Sequence, residues 1–214
     1  MKAAPDFDRL AKPYRWLEYL TFGPFLQRAR THFLPLFSNC RSAIVLGDGD
    51  GRFAARLLRS NPRIRVHAVD VSPRMLDALL HSTGANANRV TTEVADLRTW
   101  QPQSSERYDL IATHFSLDCL TTSEVGALAL GLRTVATQDA VWAISDFHVP
   151  RNRFGRWLAA PLISSLYRAF RVLTGLRVMT LPDHAQALTH CGWKLDAERL
   201  HLGGLLISQL WVPA

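Results

Sequence analysis

The stretch AIVLGDGDGRFAARLL (43–58) decides the fold. Five residues, 43–47, form an unbroken apolar run that ends at Gly47. Three alternating glycines follow, Gly47, Gly49 and Gly51, and residues 51–60 then place Phe53, Leu57 and Leu58 on one helical face. A strand, a glycine loop and a helix in direct succession put backbone where a ligand approaches closely and side chains would obstruct it. The dinucleotide fingerprint GxGxxG calls for glycine at position 52, where Arg52 stands, which weighs against a nicotinamide or flavin ligand. Asp48 and Asp50 inside the loop point the same way. Two carboxylates sit poorly beside phosphates and well beside an ammonium or sulfonium group.

Downstream, apolar runs alternate with helical patterns. IRVHAVD (64–70) reads as a strand and PRMLDALLHS (73–82) as a helix with Ser72 as its cap and Pro73 in its first turn. RVTTEVAD (89–96), YDLIATHF (108–115) and DAVWAISDF (139–147) continue the strands, with a helix over 122–136. This order is that of a doubly wound, mostly parallel α/β sheet with helices on both faces. A helix over 181–193 and strands at 194–202 and 204–212 close the chain, the two strands joined only by Gly203-Gly204. So short a link requires an antiparallel hairpin.

The 214 residues are 48% hydrophobic and 20% charged, with a net charge of +7. Disorder is excluded, and one domain over 1–214 is expected, with a helical cap at 1–41 and an insertion at 148–182. Cys40, Cys119 and Cys191 lack disulfide or zinc spacing, so neither a disulfide framework nor a metal site is expected. No signal-peptide core is visible at the N-terminus, and the expected location is the cytoplasm. The positive excess favours an anionic partner, whether nucleic acid, an acidic membrane surface or an acidic small molecule.

Ligands of open parallel sheets bind outside the carboxyl ends of the strands. Asp70 ends the second strand, where a carboxylate can accept from both ribose hydroxyls, and Asp96 follows the third, within reach of an adenine amino group. Glycines, Asp70 and Asp96 thus follow strands one, two and three in order.

On these residues, together with YDLIATHF, ISDF and CGWKL, the sequence resembles the class I S-adenosylmethionine-dependent methyltransferases. The resemblance covers most of the chain and implies a Rossmann-like, seven-stranded sheet of order 3-2-1-4-5-7-6 with an N-terminal helical lid. It implies S-adenosylmethionine as cofactor: Gly47, Asp48, Gly49, Asp50 and Gly51 along the methionine part, Asp70 and Val71 at the ribose, Asp96 and Leu97 at the adenine, and His114 at the edge of the same site. The family usually carries an acidic residue two positions before the first glycine, where this chain has Val45. The opening FDRLAKPY–RWLEYLTFG is also similar to that of the ubiquinone/menaquinone C-methyltransferases, which makes Tyr14 and Tyr19 candidate substrate contacts.

The insertion 148–182 holds six Arg and no acidic residue. At about 100° per residue, Phe154, Leu158, Leu162, Leu166 and Phe170 share one half of a helix and Arg153, Arg156, Arg168 and Arg171 the other. With Trp157 near the boundary, this is the pattern of a segment lying on an anionic bilayer at the inner membrane surface, or of an ordinary amphipathic helix. Trp157 is a candidate substrate contact. For a base near the carboxyl edge the candidates are His114 and His148, with Asp118 orienting either. The expected activity is methyl transfer to a small or amphipathic apolar acceptor, quinone-like, phenolic or lipid, at oxygen or carbon. Two alternatives remain: an RNA or protein methyltransferase, and a non-catalytic nucleoside-binding protein of the same fold.

Overall fold

The computed structural model describes residues 24–103, 105–148 and 181–214. Their elements follow the chain as α1 (Pro24–Thr31), β1 (Ser42–Leu46), α2 (Arg52–Ser60), β2 (Arg65–Asp70), α3 (Pro73–Thr83), β3 (Val90–Val94), β4 (Tyr108–His114), α4 (Thr122–Val135), β5 (Ala136–Phe147), α5 (His184–His190), β6 (Trp193–His201) and β7 (Leu206–Pro213), with short 3-10 turns between. The seven strands form one sheet of order β3-β2-β1-β4-β5-β7-β6. All pairings from β3 to β5 are parallel, and β7 runs antiparallel to both β5 and β6. Order and orientation are those the resemblance implied.

Alternation along the strands divides the core into two layers. Ala43, Val45, Val66, Ala68, Leu110 and Ala112 face α2 and α3, where Phe53, Leu57, Leu76 and Leu79 meet them. Ile44, Leu46, Val69, Ile111, Trp142 and Ile144 face the other way, against α4 and α5. Here Trp142 and Trp193 pack edge to face at 5.2 Å. Both indole N–H groups are satisfied, by Thr113 Oγ1 at 2.9 Å and the Ala129 carbonyl at 3.1 Å, as buried indoles require.

Helix starts are set locally. Ser72 Oγ accepts from the Met75 N–H at 3.2 Å, with Pro73 at the first position of α3. Thr121 and Glu124 cap α4 reciprocally, and Asp183 Oδ1 accepts from Gln186 at the start of α5.

Two boundaries depart from the sequence expectation. β5 begins at Ala136, directly after α4, and its first residue pairs with Tyr108 across a register shift. The β6–β7 link is a turn through Leu202 to Leu205, with Leu202 (φ 49) and Gly203 (φ 64) left-handed, not Gly203-Gly204 alone.

α1 lies across the carboxyl end of β5 and the amino end of the antiparallel β7. Its Ala29 carbonyl accepts from Ser145 Oγ at 3.0 Å and Ser208 Oγ at 2.8 Å, and Leu26 and Ala29 pack on Leu206. The rest of the expected cap, with Tyr14 and Tyr19, and residues 149–180, with Trp157 and the Arg face, lie outside the described residues. Among the described residues no helix is long and apolar enough to cross a membrane.

Candidate functional site

The glycine loop sits at the carboxyl end of β1, and its three glycines are all left-handed, at φ 69, 60 and 79. What each glycine avoids differs. A Cβ on Gly47 would lie 2.7 Å from Ser116 Cβ, and one on Gly51 would lie 2.7 Å from Leu79 Cα, inside α3. A Cβ on Gly49 meets nothing nearer than Met75 Sδ at 4.0 Å. The first and third glycines therefore serve protein packing, and Gly49 alone borders open space.

The two loop carboxylates also have protein roles. Asp48 Oδ2 accepts from the Ala54 N–H at 2.9 Å and Oδ1 from Phe53 at 3.3 Å. It supplies the acceptor that Gly51, the capping residue of α2, lacks. Burial pushes its carboxyl up to about 7, against the backbone hydrogen bonds and the Arg30 charge. Asp50 pairs with Arg52 Nε at 3.1 Å.

Asp70, at the end of β2, is buried. It accepts from the Ser72 N–H at 3.0 Å and from the N–H groups of Gly49 and Val71. The carboxylate is therefore joined to the backbone of Gly49, and burial raises it despite those donors. Asp96 is forked by the Arg98 guanidinium and holds the Arg98 N–H at 3.1 Å. The guanidinium holds its carboxyl below the ordinary value. Sequence inspection gave Asp96 to an adenine, and in the fold Arg98 engages both of its oxygens. Leu97 Cδ1 stands 3.8 Å from where a Cβ on Gly47 would be, which brings residue 97 to the same loop.

His114 ends β4 on the α2 side, its ring 4.3 Å from that of Phe53. Neither ring nitrogen has a hydrogen-bond partner among the described residues. Burial, helped by the Arg30 charge, lowers it to about 3. So weak a base accepts protons poorly at neutral pH. Val45 is 1% exposed in the layer beneath α2 and α3, so an acidic side chain there would be buried among apolar groups.

Asp118 follows β4 and is also buried. Its N–H donates to Asp146 Oδ2 at 3.2 Å, and Asp146 Oδ1 accepts from Phe147 at 2.8 Å. Burial and the neighbouring Asp118 push Asp146 well above the carboxylate range. Cys119 donates to Asp118 Oδ1 at 3.4 Å, and its thiol is raised by burial first and then by Asp118, Asp146 and Asp70. The ends of β2, β4 and β5 thus converge on one region. Asp146 was missed as a candidate site residue, although ISDF ends a strand as HAVD (67–70) does and the same edge rule selects it. His148 lies apart from His114, on the β5–β7 side, with Nδ1 2.8 Å from the Gly204 carbonyl. Among the described residues no group of three or more His, Cys, Asp or Glu could hold a metal ion.

Comparison with known proteins fits this geometry. Residues 44–139 match a family model described as a methyltransferase domain. No curated protein matches the chain in sequence. Among solved structures, the mitomycin 7-O-methyltransferase MmcR is similar at 17% identity and a TM-score of 0.72, over 97% of this chain and 60% of that one. An O-methyltransferase family protein from Burkholderia thailandensis gives 16% and 0.72, over 98% and 61%. The N-methyltransferase NodS from Bradyrhizobium japonicum WM9, in complex with S-adenosyl-L-homocysteine, gives 15% and 0.69, over 97% and 96%. The chain thus spans about three-fifths of the first two and nearly all of the third. At such identities the likeness establishes the fold.

Proposed function

We propose that this chain, whose residues 44–139 match a methyltransferase domain, is a class I S-adenosylmethionine-dependent methyltransferase that methylates a hydroxyl oxygen of a small, largely apolar acceptor. What carries the assignment is the loop 47–51, with Gly49 open on one side and its N–H held by the Asp70 carboxylate. A nucleoside would be held there by Asp70 at its ribose hydroxyls, by Asp96 and Leu97 near its adenine, and by the loop 47–51 along its methionine part. Bound there, S-adenosylmethionine supplies a methyl group on a sulfonium, transferred by in-line displacement. The protein's part is to align that methyl with the acceptor and to accept the hydroxyl proton. The O-methyltransferases among the similar structures support oxygen as the target.

Calorimetric titration with S-adenosylmethionine, S-adenosylhomocysteine and NAD, beside Asp70→Ala, tests the cofactor. Both sulfur nucleosides are expected to bind, NAD not to, and the variant to lose both. Binding of NAD without the sulfur nucleosides would refute the assignment. Transfer of labelled methyl to phenols and quinols then tests the acceptor class.

A further inference from the structure

Gln209, on β7, is buried and makes three hydrogen bonds. Its Oε1 accepts from Trp211 Nε1 at 3.0 Å and lies 2.9 Å from His184 Nε2, while its Nε2 donates to Glu198 Oε2 at 2.9 Å. An indole N–H only donates and an ionised carboxylate only accepts, so the amide orientation is fixed by its neighbours. His184 must then carry its hydrogen on Nε2 to reach Gln209 Oε1. In the neutral ring the lone pair is therefore on Nδ1. His148 is fixed in the opposite sense, since Nδ1 donates to the Gly204 carbonyl and the lone pair is on Nε2.

These two imidazoles share one end of the fold. Gln209 is in register with Ile144 of β5, one residue short of the row that joins His114 to Ser145, and His148 follows the end of β5. The nucleoside reading uses the ends of β1, β2 and β3, so the acceptor must approach from the β4, β5 and β7 side. From β4 to β7 is about 10 Å at ordinary strand spacing, a gap that an acceptor of one or two rings spans.

We propose that His184, held by Gln209 through Nε2 so that Nδ1 carries the lone pair, is the base that takes the proton of a phenolic acceptor, with His148 near enough to act on its charge. The proposal rests on the methyl-transfer assignment above. In the step, the acceptor O–H breaks and its proton goes to His184 Nδ1. An O–CH3 bond forms as the S–CH3 pair returns to sulfur, and the imidazolium then releases its proton to water. The groups facing His184 are Asp183, Glu198 and Gln209, which favour its protonated form, and His148, which opposes it. Burial outweighs the first three and lowers His184 below its ordinary value, so the ring is neutral at pH 7.

Methyl transfer to catechol and to 1-naphthol, followed against pH in the full chain, tests this. The wild-type rate should rise with pH through a limb below the ordinary histidine value and then level. His184→Asn should lower the plateau about 10²–10⁴-fold and abolish that limb, with S-adenosylhomocysteine affinity unchanged. Nitrogen-15 imidazole spectra of the wild type should show His184 protonated on Nε2, a readout that does not require the variant to fold. An Nδ1-protonated ring overturns the proposal, as does a variant within about threefold of wild type with its limb intact. So does cofactor affinity falling in step with the rate, which marks a structural role. Bound cofactor with no methylation of either phenol overturns this base and the hydroxyl acceptor together. Failure of the wild type to bind the cofactor overturns the methyl-transfer assignment itself.

Discussion

Alanine at Gly51 and alanine at Gly49 should fail in different ways, although the motif spells them alike. At Gly51 the new Cβ would lie 2.7 Å from Leu79 Cα and from Leu79 Cγ, and backbone inside a packed helix gives way poorly. Its φ of 79 adds the left-handed penalty of an L-residue, about 1–2 kcal/mol. Overpacking adds about 1–3 kcal/mol, so the total is about 2–5 kcal/mol. For a chain of this size that lowers the melting temperature by on the order of 10 °C. Gly49→Ala carries only the left-handed penalty, since its nearest neighbour is Met75 Sδ at 4.0 Å, but its Cβ enters the space assigned to the cofactor. Urea unfolding and S-adenosylhomocysteine calorimetry on both variants separate the two. Gly51→Ala should lose stability, and Gly49→Ala should lose affinity while unfolding within about 2 kcal/mol of wild type. Equal stability losses, or Gly49→Ala binding as wild type does, would refute this division of labour.

The pH dependence of stability should report Asp48. Folding raises its carboxyl to about 7 from an ordinary 3.8, so between these values the folded state holds a proton that the unfolded state has released. Stability contributed through this group therefore falls as pH rises from about 4 to about 7, and levels above. Asp48→Asn removes that slope, and parallel unfolding curves for wild type and variant at pH 5 and pH 8 would contradict the assignment. Tyr108→Phe should cost about 1–3 kcal/mol in urea unfolding, because the hydroxyl joins Glu106 to His67 Nδ1, 2.7 Å away. Cofactor affinity should not change, since Tyr108 opens β4 at the end remote from the loop. The one-sided Arg placement in 148–182 predicts binding to anionic vesicles above neutral ones, weakened by Arg156→Glu with Arg168→Glu. Equal sedimentation with both vesicle types would remove the membrane expectation.

The fold was legible because β1, β2 and β4 are mostly buried and read as largely apolar runs, β1 and β2 closed by glycine or aspartate. Its edges were less so. β6 is largely exposed, and β5 begins in Ala136-Thr137-Gln138, which carries no apolar signal and is a strand because Tyr108 lies beside it. Such pairing depends on tertiary contact and leaves no local trace. In the site, Asp70 could be placed because one rule, the carboxyl end of a strand, fixes it. His184 and Gln209 could not. They are 25 residues apart, and they meet because β7 inserts between β5 and β6, which a period of hydrophobicity does not encode.

The loop itself shows why its spelling misleads in detail. In the dinucleotide fingerprint the third glycine lets a helix pack closely, and its absence at Arg52 argues against a pyrophosphate ligand. Here Gly51 fills that packing role one position earlier, against Leu79 of the following helix, so position 52 is free to begin α2 with an arginine that pairs with Asp50. Asp48 then cannot serve as the acid missing at Val45, because its two oxygens cap the same helix that Gly51 starts. His114, at the end of β4, is buried with neither ring nitrogen partnered among the described residues, and burial keeps its ring neutral.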